Sequence, residues 1–235
     1  MRLVALLAAR DEMRFLPGYL SNVAPQVDGI VALDDGSTDG STEFLAARPE
    51  VLELIRIPPG RPEWDEVGNY RALVAAALRH DPDWLVSIDA DERLERRFRR
   101  RAERIIRRGA RRGREAYAVR LLELWGSPDR YRADGVWGEK APPRLFRARD
   151  DHAFDTRGLH GAKAPLQAGR QGRYPRADLN IYHLRMIRPG DRLARRRRYE
   201  IADPEARFQP SIGYRYLTDE CGLVLRRIPR RRAYQ

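Results

Sequence analysis

The sequence predicts an α/β fold with a mostly parallel central sheet flanked by helices, followed by a basic, mostly helical C-terminal extension. Three observations carry this. Strand-length runs rich in aliphatic residues recur at Arg2–Ala8, Gly29–Leu33, Val51–Ile57 and Trp84–Ile88. Between them lie segments with apolar residues three and four apart, the spacing of a helical stripe. Beyond about residue 185 the composition turns basic.

In order along the chain, Arg2–Ala8 is nearly all apolar, as a strand buried on both faces is. Met13, Leu16, Leu20 and Val23 form the first helical stripe. Gly29–Leu33 is the second strand, and it ends in the dense turn signal Asp34-Asp35-Gly36-Ser37-Thr38-Asp39-Gly40-Ser41. A short helix is expected from about Ser41 to Ala47, with Asp39 or Ser41 as its N-cap. Val51–Ile57 is the third strand, closed by Pro58-Pro59-Gly60. Val67, Tyr70, Val74, Ala77 and Leu78 make the next helical face, and Trp84–Ile88 is the fourth strand. Strands alternating with helices imply right-handed crossovers and a parallel sheet.

The second half is less regular. Phe98, Ala102, Ile105 and Ile106 make an apolar stripe on an Arg-covered helix. Ala116–Trp125, Pro143–Ala148 and Leu179–Leu184 read as strands, and from Pro189 the pattern is helical and basic. The expected organisation is a domain over residues 1–185 and an extension over 186–235.

The net charge of +12 is unevenly laid out. Residues 1–92 hold 8 Arg against 17 acids, whereas residues 93–114 hold 12 Arg against 2. Only Lys140 and Lys163 are lysine, so arginine count reflects coding bias as much as a need for forked hydrogen bonding. The single cysteine, Cys221, excludes an internal disulfide, and no Cys/His cluster has the spacing of a structural zinc site. The longest apolar runs fall far short of the roughly 18 residues of a membrane span. The opening run lacks a signal-peptide cleavage pattern. These features point to a reducing, cytoplasmic compartment.

In a parallel α/β sheet the ligand sits beyond the carboxyl ends of the strands. Here those ends read Arg10-Asp11-Glu12, Asp34-Asp35 and Asp89-Ala90-Asp91-Glu92, so three strand ends deliver acids to one edge. Paired hard oxygen ligands such as Asp89 and Asp91 suit Mg²⁺ or Mn²⁺, which take their remaining ligands from water and phosphate. The bland counterpart is a solvated acidic turn capping a helix that starts near Glu92. Asp34 and Asp35 are placed to accept hydrogen bonds from a base N–H or a ribose hydroxyl, though Asp, Gly, Ser and Thr are also plain turn formers. Neither a P-loop nor a dinucleotide-binding glycine motif follows the first strand.

These residues resemble the family 2 nucleotide-sugar glycosyltransferases of the GT-A fold. Val31-Ala32-Leu33-Asp34-Asp35-Gly36-Ser37-Thr38-Asp39-Gly40-Ser41 is similar to that family's signature. Arg10-Asp11-Glu12 resembles its Arg-Asn-Glu, and Asp89-Ala90-Asp91-Glu92 its D-x-D-E. Asn69 and Arg71 stand where members often carry an Asn/Arg pair. The likeness covers residues 1 to about 95 and is looser beyond, in Pro143-Arg144-Leu145-Phe146-Arg147 and Tyr182-His183-Leu184.

The resemblance implies a GT-A-like sheet and a nucleotide-sugar site made by Arg10, Asp11, Asp34, Asp35, Asn69, Arg71 and Asp89. It implies a metal, Mn²⁺ or Mg²⁺, on Asp91, with His183 as a second ligand; His160 is a rival to His183, while His80 and His152 read as surface loop residues. The reaction it implies is inverting transfer of a sugar from a UDP-, GDP- or dTDP-linked donor to a hydroxyl acceptor, in cell-surface glycan or glycoconjugate synthesis, with a lipid-linked glycan as one candidate acceptor. The family's Glu-Asp motif before the acceptor helix is absent. The general base is therefore assigned to Glu139, with Glu123, Asp134 and Asp155 as competitors. Trp125 and Trp137 are candidates for stacking on an acceptor sugar, or for a pocket wall.

Two other readings stand beside this one. A nucleotidyltransferase pairs metal-binding acids with a nucleotide on a similar sheet, but it usually carries a Gly-rich basic loop where this chain has Ala8-Ala9-Arg10-Asp11-Glu12. A non-catalytic protein would use the Arg stretches at 93–114 and Arg195–Arg198 to bind nucleic acid or an anionic membrane. Nucleic acid is disfavoured, because no recognised motif is present and the acidic first half repels phosphate. Peripheral contact with the inner face of the membrane is the other use of those stretches, and a merely solvated face is the bland one.

Overall fold

A computed structural model of the chain describes residues 1–60, 65–154, 163–169 and 173–234. In chain order its elements are β1 (Leu3–Ala9), α1 (Leu16–Val23), β2 (Gly29–Asp35), α2 (Ser41–Ala46), β3 (Val51–Ile57), α3 (Glu66–Leu78), β4 (Trp84–Ser87) and β5 (Glu92–Leu94). Then follow α4 (Phe98–Ala110), β6 (Ala116–Glu123), β7 (Arg130–Arg132), α5 (Gly135–Glu139), β8 (Pro143–Arg147), β9 (Arg176–His183), α6 (Pro189–Ala202) and β10 (Leu225–Arg227).

Eight strands form one sheet in the order β3-β2-β1-β4-β8-β6-β9-β5, and β7 pairs with β10 in a separate ribbon. The pairs β1–β2, β2–β3, β1–β4 and β6–β9 are parallel. The pairs β4–β8, β6–β8 and β5–β9 are antiparallel. Alternation along β1 sends Leu3, Ala5 and Leu7 to one face, where they pack with Leu16, Tyr19 and Leu20 of α1 and Phe98, Ala102 and Ile106 of α4. Val4 and Leu6 go to the other face, against Tyr70, Leu73, Val74 and Ala77 of α3. Each fully buried aliphatic side chain here contributes about 1.5–3 kcal/mol.

Three local expectations are corrected. The helix start expected near Glu92 is instead strand β5, which exists because β9 lies beside it with His183 opposite Glu92, and the helix begins at Phe98. The N-cap of α2 is Gly40, at φ 90, while Asp39 accepts from the Ser41 amide and hydroxyl instead. Beyond residue 185, regular helix is confined to α6. Residues 203–234 are turns, short 3-10 segments and β10.

These last residues are tied back to the sheet. The Tyr182 hydroxyl donates to the Arg232 carbonyl at 2.7 Å, and Arg232 reaches the Asp178 carboxylate at 2.9 Å and pairs with buried Glu95. Among the described residues no helix is long and apolar enough to cross a membrane.

Candidate functional site

The carboxyl ends of β1 and β2 are laced together by the turn residues between β2 and α2. Asp11 adopts a left-handed conformation, φ 54, which Asp tolerates better than most residues. Its amide donates to Ser37 Oγ at 2.9 Å and its carboxylate accepts from the Thr38 amide at 2.7 Å. The amides of Glu12 and Met13 bond Ser41 Oγ and the Asp39 carboxylate.

Asp34 is buried, and its Oδ2 accepts from the Ser37 amide at 3.1 Å and from Thr42 Oγ1 at 2.7 Å. Its Oδ1 is equally buried and has no hydrogen-bond partner among the described residues. Arg10 clamps Asp35: Nη2 donates to Oδ2 at 2.6 Å and Nε to the carbonyl at 2.7 Å.

Two strand positions along, β4 delivers Asp89 and Asp91 to the same edge. Lys163 Nζ lies 2.6 Å from Asp89 Oδ1, and Arg144 Nη2 is 3.4 Å from Oδ2. Burial by itself would raise the Asp89 carboxyl, but Lys163 and Arg144 outweigh it and hold the group below its ordinary range. Arg144 also pairs with Glu92 at 2.7 Å, and Glu92 Oε2 accepts from the Asp89 amide at 2.9 Å. The Arg144 Nε and Nη1 groups are buried without partners among the described residues.

Asp91 meets His183. The Nε2 atom is 3.0 Å from Asp91 Oδ2, while Nδ1 bonds Glu123 Oε2. Strand order explains the meeting. β9 lies between β6 and β5, so His183 is in register with both Glu123 and Glu92, and the next amide, Leu184, donates to the Asp91 carbonyl at 2.8 Å.

Arg185 bridges Asp91 and Glu12. Lys140 reaches the far oxygen of Glu123 at 2.9 Å, and Arg195 Nη1 lies 3.3 Å from each ring nitrogen of His183, hence over the ring. Burial would lower the His183 pKa, but Glu123 and Asp91 override it and push it up to about 10. Burial pushes Glu12 up to about 7, against the pull of Arg185.

The other expected site residues are distributed as follows. Asn69 is buried on α3, whereas Arg71, two residues on, is exposed on the opposite side of the helix, since i and i+2 do not face each other. Glu139 is exposed and closes the short helix α5, rather than lying in a loop. Of its competitors, Glu123 is taken up by His183 and Lys140, and Asp134 by Arg132 at 2.9 Å. Asp155 and His160 lie outside the described residues.

Trp125 and Trp137 are buried edge to face, ring centroids 5.5 Å apart, so they are core rather than an open stacking platform. His80 is half-buried against Glu53 at 3.0 Å, and His152 packs on Phe146 and Phe154, so neither is a free loop residue. Sequence reasoning missed Arg144, Lys163, Arg185 and Arg195. Arg185 carried one usable signal, its position two residues beyond His183 on an expected strand end. Arg195 carried none, standing in a run of four arginines.

Asp91 and His183 are the pair of side chains here that could hold a divalent cation, although Asp91 Oδ2 already accepts from both His183 and Arg185. Two ligands at right angles on bonds of about 2.1 Å stand about 3.0 Å apart, the separation found between Oδ2 and Nε2. The Nδ1 contact to Glu123 is the carboxylate–histidine pairing that orients metal-bound imidazoles. No group of three or more His, Cys, Asp and Glu with metal-binding geometry occurs among the described residues.

No family model matches the chain. The uncharacterized proteins Rv3786c of Mycobacterium tuberculosis and Mb3815c of Mycobacterium bovis are each 27% identical to it over 229 residues, covering 91% of this chain and 54% of theirs. The chain thus spans about half the length of the curated relatives it matches. Among solved structures, TarS 1–349 of S. aureus superposes with a TM-score of 0.50 at 13% identity, over 94% of this chain and 70% of that one. TarS 1–349 in complex with UDP-GlcNAc gives the same TM-score and identity over 78% of this chain and 56% of that one. The fold is GT-A-like. At 13% identity the likeness is one of fold alone.

Proposed function

We propose that this chain is an inverting glycosyltransferase that moves a sugar from a nucleotide-diphosphate-sugar to a hydroxyl acceptor, with Mn²⁺ or Mg²⁺ held by Asp91 and His183. The observation that carries the reading is the buried Asp34 Oδ1, without a partner among the described residues, beside the Arg10-clamped Asp35 and on the same sheet edge as Asp89 and Asp91. A buried carboxylate oxygen left unpaired is costly. A donor N–H of a nucleotide base satisfies it.

In this reading Asp34 and Asp35 take the base and ribose, Asp11 fixes the turn beneath them, and Asp89 takes a ribose hydroxyl. Asn69 borders the nucleotide pocket; Arg71, facing the other way, is left out of it. Arg185 and Arg195 flank the place where the diphosphate lies and offset its charge. A metal held on Nε2 would require neutral His183, whose Nδ1–H would go on donating to the Glu123 carboxylate. The bound metal supplies Lewis-acid compensation for the charge that builds on the leaving diphosphate.

Glu139 takes the acceptor proton. Glu12 is the second candidate, because its pKa of about 7 suits a base at neutral pH. The UDP-GlcNAc bound by TarS, whose fold is similar, favours a uridine donor.

The test is a thermal-shift screen of UDP-, GDP- and dTDP-sugars with and without Mn²⁺. A donor present at ~100 times its dissociation constant should stabilise the protein by ~2.7 kcal/mol. No shift with any of them, metal present or absent, defeats the proposal.

A further inference from the structure

One face of α6 is spent on the interior. Arg192 donates to the Met186 carbonyl and pairs with Glu220, Arg195 lies over His183, Arg196 reaches Thr218, and Tyr199 stacks on Tyr214. Helical spacing puts Leu193, Ala194, Arg197, Arg198 and Ile201 on the opposite side, and all five are exposed. Ile201, 80% exposed, is the most exposed large apolar side chain among the described residues.

The loop after α6 adds to this surface. The Phe208 amide donates to Asp203 Oδ2 at 3.0 Å, which holds Phe208 against the C-terminal end of the helix, and Phe208 is 44% exposed. The nearby acids are already matched: Glu200 by Arg196, Glu205 by Arg207 and Asp191 by Arg14. Arg197 and Arg198 have no ion-pair partner among the described residues and stand exposed beside the apolar groups, although the Arg198 charge also acts on Glu12 and Tyr199.

We propose that the outer face of α6, with Phe208 at its end, is a docking surface for an anionic lipid bilayer. A helix that exposes Leu, Ile and Phe between arginines has the amphipathic character of an interfacial element: apolar groups enter the acyl boundary and guanidinium groups meet lipid phosphates. Charge complementarity selects the occupant, because the exposed Arg197 and Arg198 are positive and the surface of an anionic bilayer is negative. The same helix carries Arg195 on its inner face, so a bilayer on the outer face lies about one helix diameter, roughly 10–12 Å, from His183. That spacing serves an acceptor presented at a membrane surface.

The test is co-sedimentation of the full chain with vesicles of phosphatidylcholine alone and of phosphatidylcholine mixed with phosphatidylglycerol, at low and high salt. Binding is expected only to the phosphatidylglycerol vesicles, with loss at high salt. R197S/R198S should weaken it about 30-fold, the equivalent of about 1 kcal/mol per arginine. I201S/F208S should weaken it at least as much, and both variants should keep the parent melting temperature, since all four side chains are exposed. R96S/R97S/R100S, at the start of α4, should bind as the parent does.

Equal binding to both vesicle types overturns the proposal, as does no binding to either. So does a loss that follows the α4 variant while the α6 variants bind normally. Vesicle binding requires no nucleotide, so its outcome is separate from that of the donor screen.

Discussion

His183 Nε2 lies 3.0 Å from Asp91 Oδ2, though 92 residues separate the two in sequence. The contact joins a strand end of the first half to a strand end of the second. It makes Asp91 at once a candidate metal ligand and a member of a buried charge network, which sets the first prediction.

Asp91→Asn should abolish Mn²⁺-dependent turnover and also destabilise the protein. With Asn in place, His183 and Arg185 lose a common counter-charge, and breaking a buried ion pair costs about 3–5 kcal/mol. Parent-like activity in this variant removes the metal assignment. A parent-like melting temperature removes the network argument.

The elevated His183 pKa makes a prediction about pH. Unfolded, the imidazole titrates near 6.5; folded and metal-free it holds its proton to about 10. The stabilisation is therefore fully present below about pH 6.5, declines above it, and is lost as pH rises through 10. In chelator-treated protein, denaturant melts should show stability falling over that window, and His183→Gln should flatten the slope. An unchanged slope in His183→Gln would mean that some other group titrates there.

Asp34→Ala should weaken nucleoside diphosphate binding by roughly 10- to 100-fold, the worth of a hydrogen bond to a charged group. Thr42→Val removes one of the two donors to Oδ2, leaving the Ser37 amide, and should cost less. Calorimetry giving the parent affinity for Asp34→Ala returns the segment to a plain turn.

Glu139→Gln should lower kcat by about 10²- to 10⁴-fold with donor affinity kept, as loss of a general base does. Glu12→Gln is the discriminating control. If Glu12→Gln loses kcat and Glu139→Gln does not, and the acid limb of the pH–rate profile near 7 disappears with it, the base is Glu12.

Much of the first half was legible because its signals are local. The aliphatic runs of β1, β2 and β4 and the Asp-Gly-Ser turn after β2 depend on near neighbours in sequence, and right-handed parallel crossovers then put Asp11, Asp34 and Asp89 on one edge. What those acids touch was not legible. Lys163 on Asp89, Arg185 on Asp91 and Arg144 on Glu92 are pairings across 74, 94 and 52 residues. Nothing in a chain of 46 basic residues, nearly all Arg, marks these three beforehand.

The tertiary structure made that choice by inserting β9 between β6 and β5. That placement turns residues 92–94 into a strand instead of a helix start and sets His183 between Glu123 and Asp91. Periodicity and turn chemistry are properties of a few adjacent residues. The register between distant strands depends on the whole packed sheet.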